Sequence, residues 1–175
     1  MPDPTLSAAI KEAYASAPTA DVIYHTLELW HPVFSVPIRV VRDYSDLNAK
    51  IEAGAARDPG ATVAFTGYAF DIVPPDTSTS SLPRCTIEID NISRDILAQI
   101  DLAIMQTEKI TVIYRAYLAS GLTVGPENIP PQELTITQIR ATPMRISATA
   151  EFVNLMDVRF PKLEYDLETF PGLLP

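Results

Sequence analysis

Sixteen prolines among 175 residues set the first limit on what this chain can fold into. Proline fixes φ and lacks a backbone N–H, so it ends helices and is confined to the edges and turns of sheets. Spread along the whole chain, such a load cuts it into short elements and favours strands joined by turns over a helical bundle. The six glycines are scattered rather than clustered, so no phosphate-cradling glycine loop is formed.

The apolar fraction of 47% against 20% charged residues supplies a core and excludes general disorder. The length suits one domain over residues 1–175. Twenty-two acidic and thirteen basic residues leave a net charge of −9, the wrong sign for gripping phosphates, so specific nucleic-acid binding is not expected. Cys85 stands alone and cannot close an internal disulfide. The start, Met1-Pro2-Asp3-Pro4, has neither the basic region nor the apolar run of a secretory leader. No stretch reaches the ~20 apolar residues of a spanning helix. The expectation is a cytoplasmic product without membrane insertion, unless it leaves inside a larger particle.

Leu6 to Ala17 reads as a short helix, capped by Ser7, with Ile10, Ala13, Tyr14 and Ala17 at helical spacing and Pro18 ending it. Residues Asp21 to Trp30 alternate, which predicts a strand with Ile23, Leu27 and Leu29 facing a core. Val36 to Tyr44 reads as its hairpin partner, and Asp46 to Ala53 as a third short strand before the Asp58-Pro59-Gly60 turn. Thr62 to Val73 reads as one strand, Asp76 to Pro83 as a loop, and Cys85 to Asn91 as another strand. Ser93 offers a cap for a helix near 93–104, whose apolar face would be Ile96, Leu97, Ile100 and Ile104. Lys109 to Leu118 is a strong strand pattern, Gly121 to Pro131 a second loop, and Leu134–Ala141 with Arg145–Phe152 a hairpin about Thr142-Pro143. Residues 154–175 read as a C-terminal strap. The predicted fold is mainly β (α+β), with about eight strands in an antiparallel sandwich or split barrel over residues 20–153, one packed core helix, and an N-terminal helix within 1–18.

A search for chemistry finds no catalytic, cofactor or metal set. His25 and His31 share a strand parity, but no cysteine or carboxylate pattern completes a tetrahedral site; two ordinary strand-edge polar residues is the expectation. Cys85 opens an apolar strand without a base beside it and reads as a small hydrophobe. Ser78, Ser80 and Ser81 lack a nucleophile elbow. Asp43, Asp46, Asp71, Asp90 and Asp101 form no motif, although carboxylates from distant strands can meet in a fold. Trp30, Tyr114 and Tyr117 read as core or interface anchors, and Arg115 between the two tyrosines as a weak interface signal.

Taken in order, IKEAYASAPTADVIYHTLELWHPVF, PIRVVRDYSDL, TVAFTGYAFDIVPP, IEIDNISRDI, TVIYRAYLASG and EFVNLMDVRFPKLEYDLETFPGL resemble a small phage-tail family known only as a domain of unknown function. The match runs from about Ile10 to Leu173. More distantly, the order of elements is similar to the N-terminal barrel of lambda-like minor tail protein L. That resemblance implies a non-enzymatic structural subunit of a tail tip, with a fold of the tail-tube type. It would form a threefold or sixfold ring joining the tail tube to the hub, beside the tape-measure protein, with DNA passing through an acidic lumen. The chain would be assembled in the host cytoplasm and carried in the virion. With Cys85 as its only cysteine, the chain lacks the cysteines of that family's iron–sulfur region, so no cluster and no other cofactor is expected. The Asp76–Pro83 loop, the Gly121–Pro131 loop and the C-terminal strap would be inter-subunit arms. The alternative is a receptor- or carbohydrate-binding module of the tail; nothing in the sequence argues for a small hydrolase.

Overall fold

The computed structural model describes residues 7–16, 21–73, 84–90, 94–142 and 144–152. Their element order is α1 (Ala8–Ser16), β1 (Ile23–Trp30), β2 (Ile38–Val41), β3 (Leu47–Lys50), β4 (Thr62–Gly67), β5 (Phe70–Val73), β6 (Arg84–Asp90), α2 (Arg94–Ile104), β7 (Thr111–Leu118), a 3-10 turn (Ala119–Gly121), β8 (Gln132–Ala141) and β9 (Arg145–Phe152). The nine strands form one sheet in the order β3-β4-β2-β1-β7-β8-β9-β6-β5. Neighbours are antiparallel except β2 and β4, which run parallel through Val40↔Thr66 and Val41↔Gly67. The mainly β expectation holds. In place of two stacked antiparallel sheets there is one mixed sheet, and it is not a closed barrel.

The coil of that sheet is fixed where sequence reading expected a single strand from Thr62 to Val73. β4 and β5 follow each other in the chain yet lie near opposite ends of the strand order. The Tyr68 N–H donates to the Val41 carbonyl of β2 at 3.0 Å, while the carbonyl of the next residue, Ala69, accepts from the Asp90 N–H of β6 at 2.9 Å. Two adjacent residues thus tie the two arms of the sheet together. Gly67 permits the crossing, because a Cβ there would stand 2.9 Å from the Asp43 carbonyl oxygen.

Alternation along β1 puts Leu27 and Leu29 on the inner face as predicted, packed with Ile38 and Val40 of β2, Val112 of β7, Ile87 and Ile89 of β6 and Ile146 of β9. Helix α2 packs on this core through Ile96 and Ile100, which border a small apolar gap beside Ile38, Val40 and Ile89. Ala103 rather than Ile104 completes the helix's buried face, since Ile104 ends the helix and is 48% exposed. Ser7 caps α1 as read: its Oγ accepts the Ile10 N–H at 3.2 Å and donates to Glu127 at 2.6 Å.

The outer face of β1, β2 and β7 is not solvated, which a simple alternation would have implied. The β3–β4 hairpin folds over it, and Phe65, Ala49, Val41 and Tyr117 form a second apolar cluster there. The Gly121–Pro131 stretch is tied back to β7 of the same chain. β8 pairs only with Thr111–Tyr114 of β7. Beyond that, the Glu127 N–H donates to the Ala116 carbonyl (2.8 Å) and the Asn128 amide bonds the Ala116 N–H and Tyr114 carbonyl. Buried ladder groups left by β8 are satisfied that way. The Asp76–Pro83 loop, the Ser93 cap and the 154–175 strap fall outside the described residues.

If α2 secures the inner core, Ile100→Ala should destabilise the fold by about 2–5 kcal/mol, whereas Leu102→Ala on its exposed face should stay within about 0.5 kcal/mol. Urea unfolding of the two variants checks the contrast.

Candidate functional site

Among the described residues, charged side chains gather in two places, one buried and one open. The buried group sits between the sheet and its covering hairpin. Glu28 of β1 is fully buried; its carboxylate accepts from Arg115 Nη1 of β7 at 3.1 Å, from Arg39 Nε of β2 at 3.2 Å and from Arg57 Nε at 3.1 Å. Arg115 also makes a bidentate pair with Glu52, at 2.7 and 2.9 Å, and Arg39 reaches Asp58. Three guanidiniums thus meet three carboxylates, and the Arg57 guanidinium lies 4.4 Å from the Trp30 ring centre. Burial alone would push the Glu52 carboxyl up, but Arg115 holds it below the ordinary range. Arg115, read as a weak interface signal, is instead 1% exposed and belongs to this cluster. Tyr117 beside it is a core aromatic stacked edge-on against Phe65 at 6.0 Å.

The two histidines have separate partners. His25 Nδ1 lies 2.7 Å from the Tyr114 hydroxyl. Burial, with Arg42 nearby, lowers the His25 pKa, so its ring is neutral at neutral pH. His31 is not a strand-edge residue but fully buried. Its Nδ1 accepts the Val33 N–H and its Nε2 donates to the Glu108 carbonyl, both at 3.2 Å, clipping the β1–β2 turn to the loop after α2. No group of three His, Cys, Asp or Glu among the described residues is placed to hold a metal. Cys85 is 2% exposed, as expected of a small hydrophobe, and burial pushes its thiol up to about 11, away from thiolate reactivity. Ser78, Ser80 and Ser81 lie outside the described residues.

The open group lines a groove of about 380 Å³ where the chain crosses from β4 to β5. The coil of the sheet does here what spacing could not show: Asp43, Asp71 and Asp90 meet on its walls, with Glu88, Arg42 and Arg145. Arg42 pairs with Asp71 at 2.6 Å, and Arg145 with Asp90 at 2.6 Å and Glu88 at 3.2 Å. Asp43 accepts the Tyr44 N–H and the Ser45 hydroxyl. Asp46 is spent on the Gly67 N–H, and Asp101 lies on the exposed side of α2. Tyr44 stands wholly in solvent on the rim. Within the groove the carboxylates are engaged by guanidiniums or by N–H and O–H donors.

The family model described as a domain of unknown function (DUF1833) matches residues 9–165. The chain belongs to that family. Membership identifies the family without assigning an activity. No match was found among curated proteins.

Removing the acceptor at the centre of the buried cluster takes a carboxylate from three guanidiniums at once and leaves the buried Arg115 with Glu52 alone, so Glu28→Ala should cost about 3–5 kcal/mol. Asp58→Ala at its half-exposed rim should cost about 1 kcal/mol or less; urea midpoints compare the two. His25 gives a pH dependence of known sign. The unfolded imidazole takes up a proton near pH 6.5, while the folded one resists until lower pH, so stability falls as pH drops through about 6.5. Between pH 7.5 and 5.5 the wild-type midpoint should fall further than that of His25→Gln.

Proposed function

We propose that this DUF1833 chain is a non-enzymatic structural subunit of a bacteriophage tail tip, forming a threefold or sixfold ring that joins the tail tube to the hub. The resemblance of its ordered segments to phage-tail proteins supports the reading. One structural observation carries it furthest. Among the described residues the buried charges of Glu28 and Arg115 are consumed in holding the chain's own layers, while the sheet ends in strand margins at β3 and β5. A subunit built this way works by shape and backbone docking, with no group reserved for polarising a bond. The virion tail is its place, with the tube, hub and tape-measure proteins as neighbours. The net charge of −9 suits a lumen through which DNA passes without adhering, because like charges repel phosphate.

Tyr44, fully exposed on the groove rim near Tyr68, favours one second reading, a receptor- or carbohydrate-binding module of the tail. Electron microscopy of the concentrated protein and of purified tails should show rings of defined symmetry carrying this chain. A monomer at every concentration, missing from tails but retained by a glycan array, would overturn the ring in favour of the module.

A further inference from the structure

The two margins of the sheet are not equivalent. At β3, register places Asn48 and Lys50 with their backbone groups outward, since Ile51 exchanges its bond with Ala61 in the Leu47↔Phe65 ladder. The Lys50 N–H is already taken by the Leu122 carbonyl at 2.8 Å, so that margin is partly covered. At β5 the bond from the Asp90 N–H to the Ala69 carbonyl fixes the parity: Ala69, Asp71 and Val73 face β6. Phe70 and Ile72 therefore turn their N–H and C=O groups away from the sheet, and β5 is the last strand among the described residues. Their side chains point into the core, Phe70 at 4% exposure, so the backbone row is presented by a fixed strand.

The charged groove runs beside this row. Its lining holds four carboxylates, Asp43, Asp71, Glu88 and Asp90, against two guanidiniums, Arg42 and Arg145. Internal pairing leaves the wall acidic, and the Asp71 side chain, 72% exposed, projects next to the open margin. A strand added along β5 would gain backbone bonds from Phe70 and Ile72 and place alternate side chains toward Asp71. Opposite charges at such cross-strand positions are favourable and like charges are not.

We infer that the free margin of β5 receives an extended, lysine- or arginine-bearing segment of a neighbouring protein, which adds a tenth strand to the sheet with its basic side chain over Asp71. The inference rests on the assembly reading only for the source of that segment. A nine-residue peptide alternating valine and threonine with two lysines, and its counterpart with two glutamates, test it on the full chain by amide NMR. The lysine peptide should slow hydrogen exchange at the Phe70 and Ile72 amides about tenfold. Asp71→Lys should weaken its binding about fivefold. Ile72→Pro, which deletes an outward donor, should abolish binding, while Ile72→Ala, which removes the same side chain and keeps the donor, should retain it. If Ile72→Pro fails to fold, the amide protection and Asp71→Lys still decide. Three results would sink the inference: no protection at these amides, equal binding of the glutamate peptide, or protection that grows with protein concentration alone, which would make a second copy the occupant. Rings seen without peptide binding would remove this inference and leave the assembly reading standing.

Discussion

Burying one carboxylate decides how the layers of this protein are stacked. The Glu28 side chain has no access to water, and a charge in that position is tolerated only with several donors around it. Its donors come from β2, from β7 and from the covering segment through Arg57. Register follows from this. A one-residue slip of β1 would drive Glu28 into the apolar interior and turn Leu27 and Leu29 toward the guanidiniums. The charge cluster and the core therefore specify the same alignment from opposite faces. Glu52 and Asp58 bring the local charge to balance, so the hairpin of β3 and β4 closes over the sheet without stranding a cation.

How far the sequence discloses this fold depends on whether each signal is local. Leu27 and Leu29 of β1, Ile96, Leu97 and Ile100 of α2 and the Ser7 cap belong to local patterns and are found in place, whereas Ile23 and Ile104 at the ends of those patterns stay outside the core. The outer face was hidden because alternation says only that Thr26 and Glu28 point opposite to Leu27, not that something covers them. Arg115 was hidden for the same reason, since its partners Glu28 and Glu52 lie 87 and 63 residues away. The run from Thr62 to Val73 favours strand throughout, so nothing in its composition marks the change of partner at Tyr68; only the close approach at Gly67 betrays it, and a lone glycine in a strand has several meanings.

The groove was legible only as a set of candidates. Asp43, Asp71 and Asp90 stood out as acidic positions on or near strands, but their meeting depends on the coil that joins β2 to β6. His31 shows the converse. Pro32 marked the end of β1, yet burial at His31 comes from a carbonyl 77 residues further along. Which backbone groups face outward at a margin is harder still to read. It follows from the pairing register of β5 with β6, and a shift of one residue would exchange the outward set from Phe70 and Ile72 to Asp71 and Val73.

The contrast between the margins fits the hazards that sheet edges create. An exposed row of backbone groups pairs with whatever strand it meets unless it is short, charged or covered. β3 is partly covered by the turn at Leu122. β5 is limited to four residues and carries an exposed carboxylate. Those two features restrain indiscriminate pairing, because few bonds are on offer and an acidic or bulky apolar strand gains little from them. The same two features make the margin selective: with so few backbone bonds, the charge beside them has to contribute a large share of any binding that occurs. Guarding an edge and addressing it are, for this sheet, one arrangement of atoms.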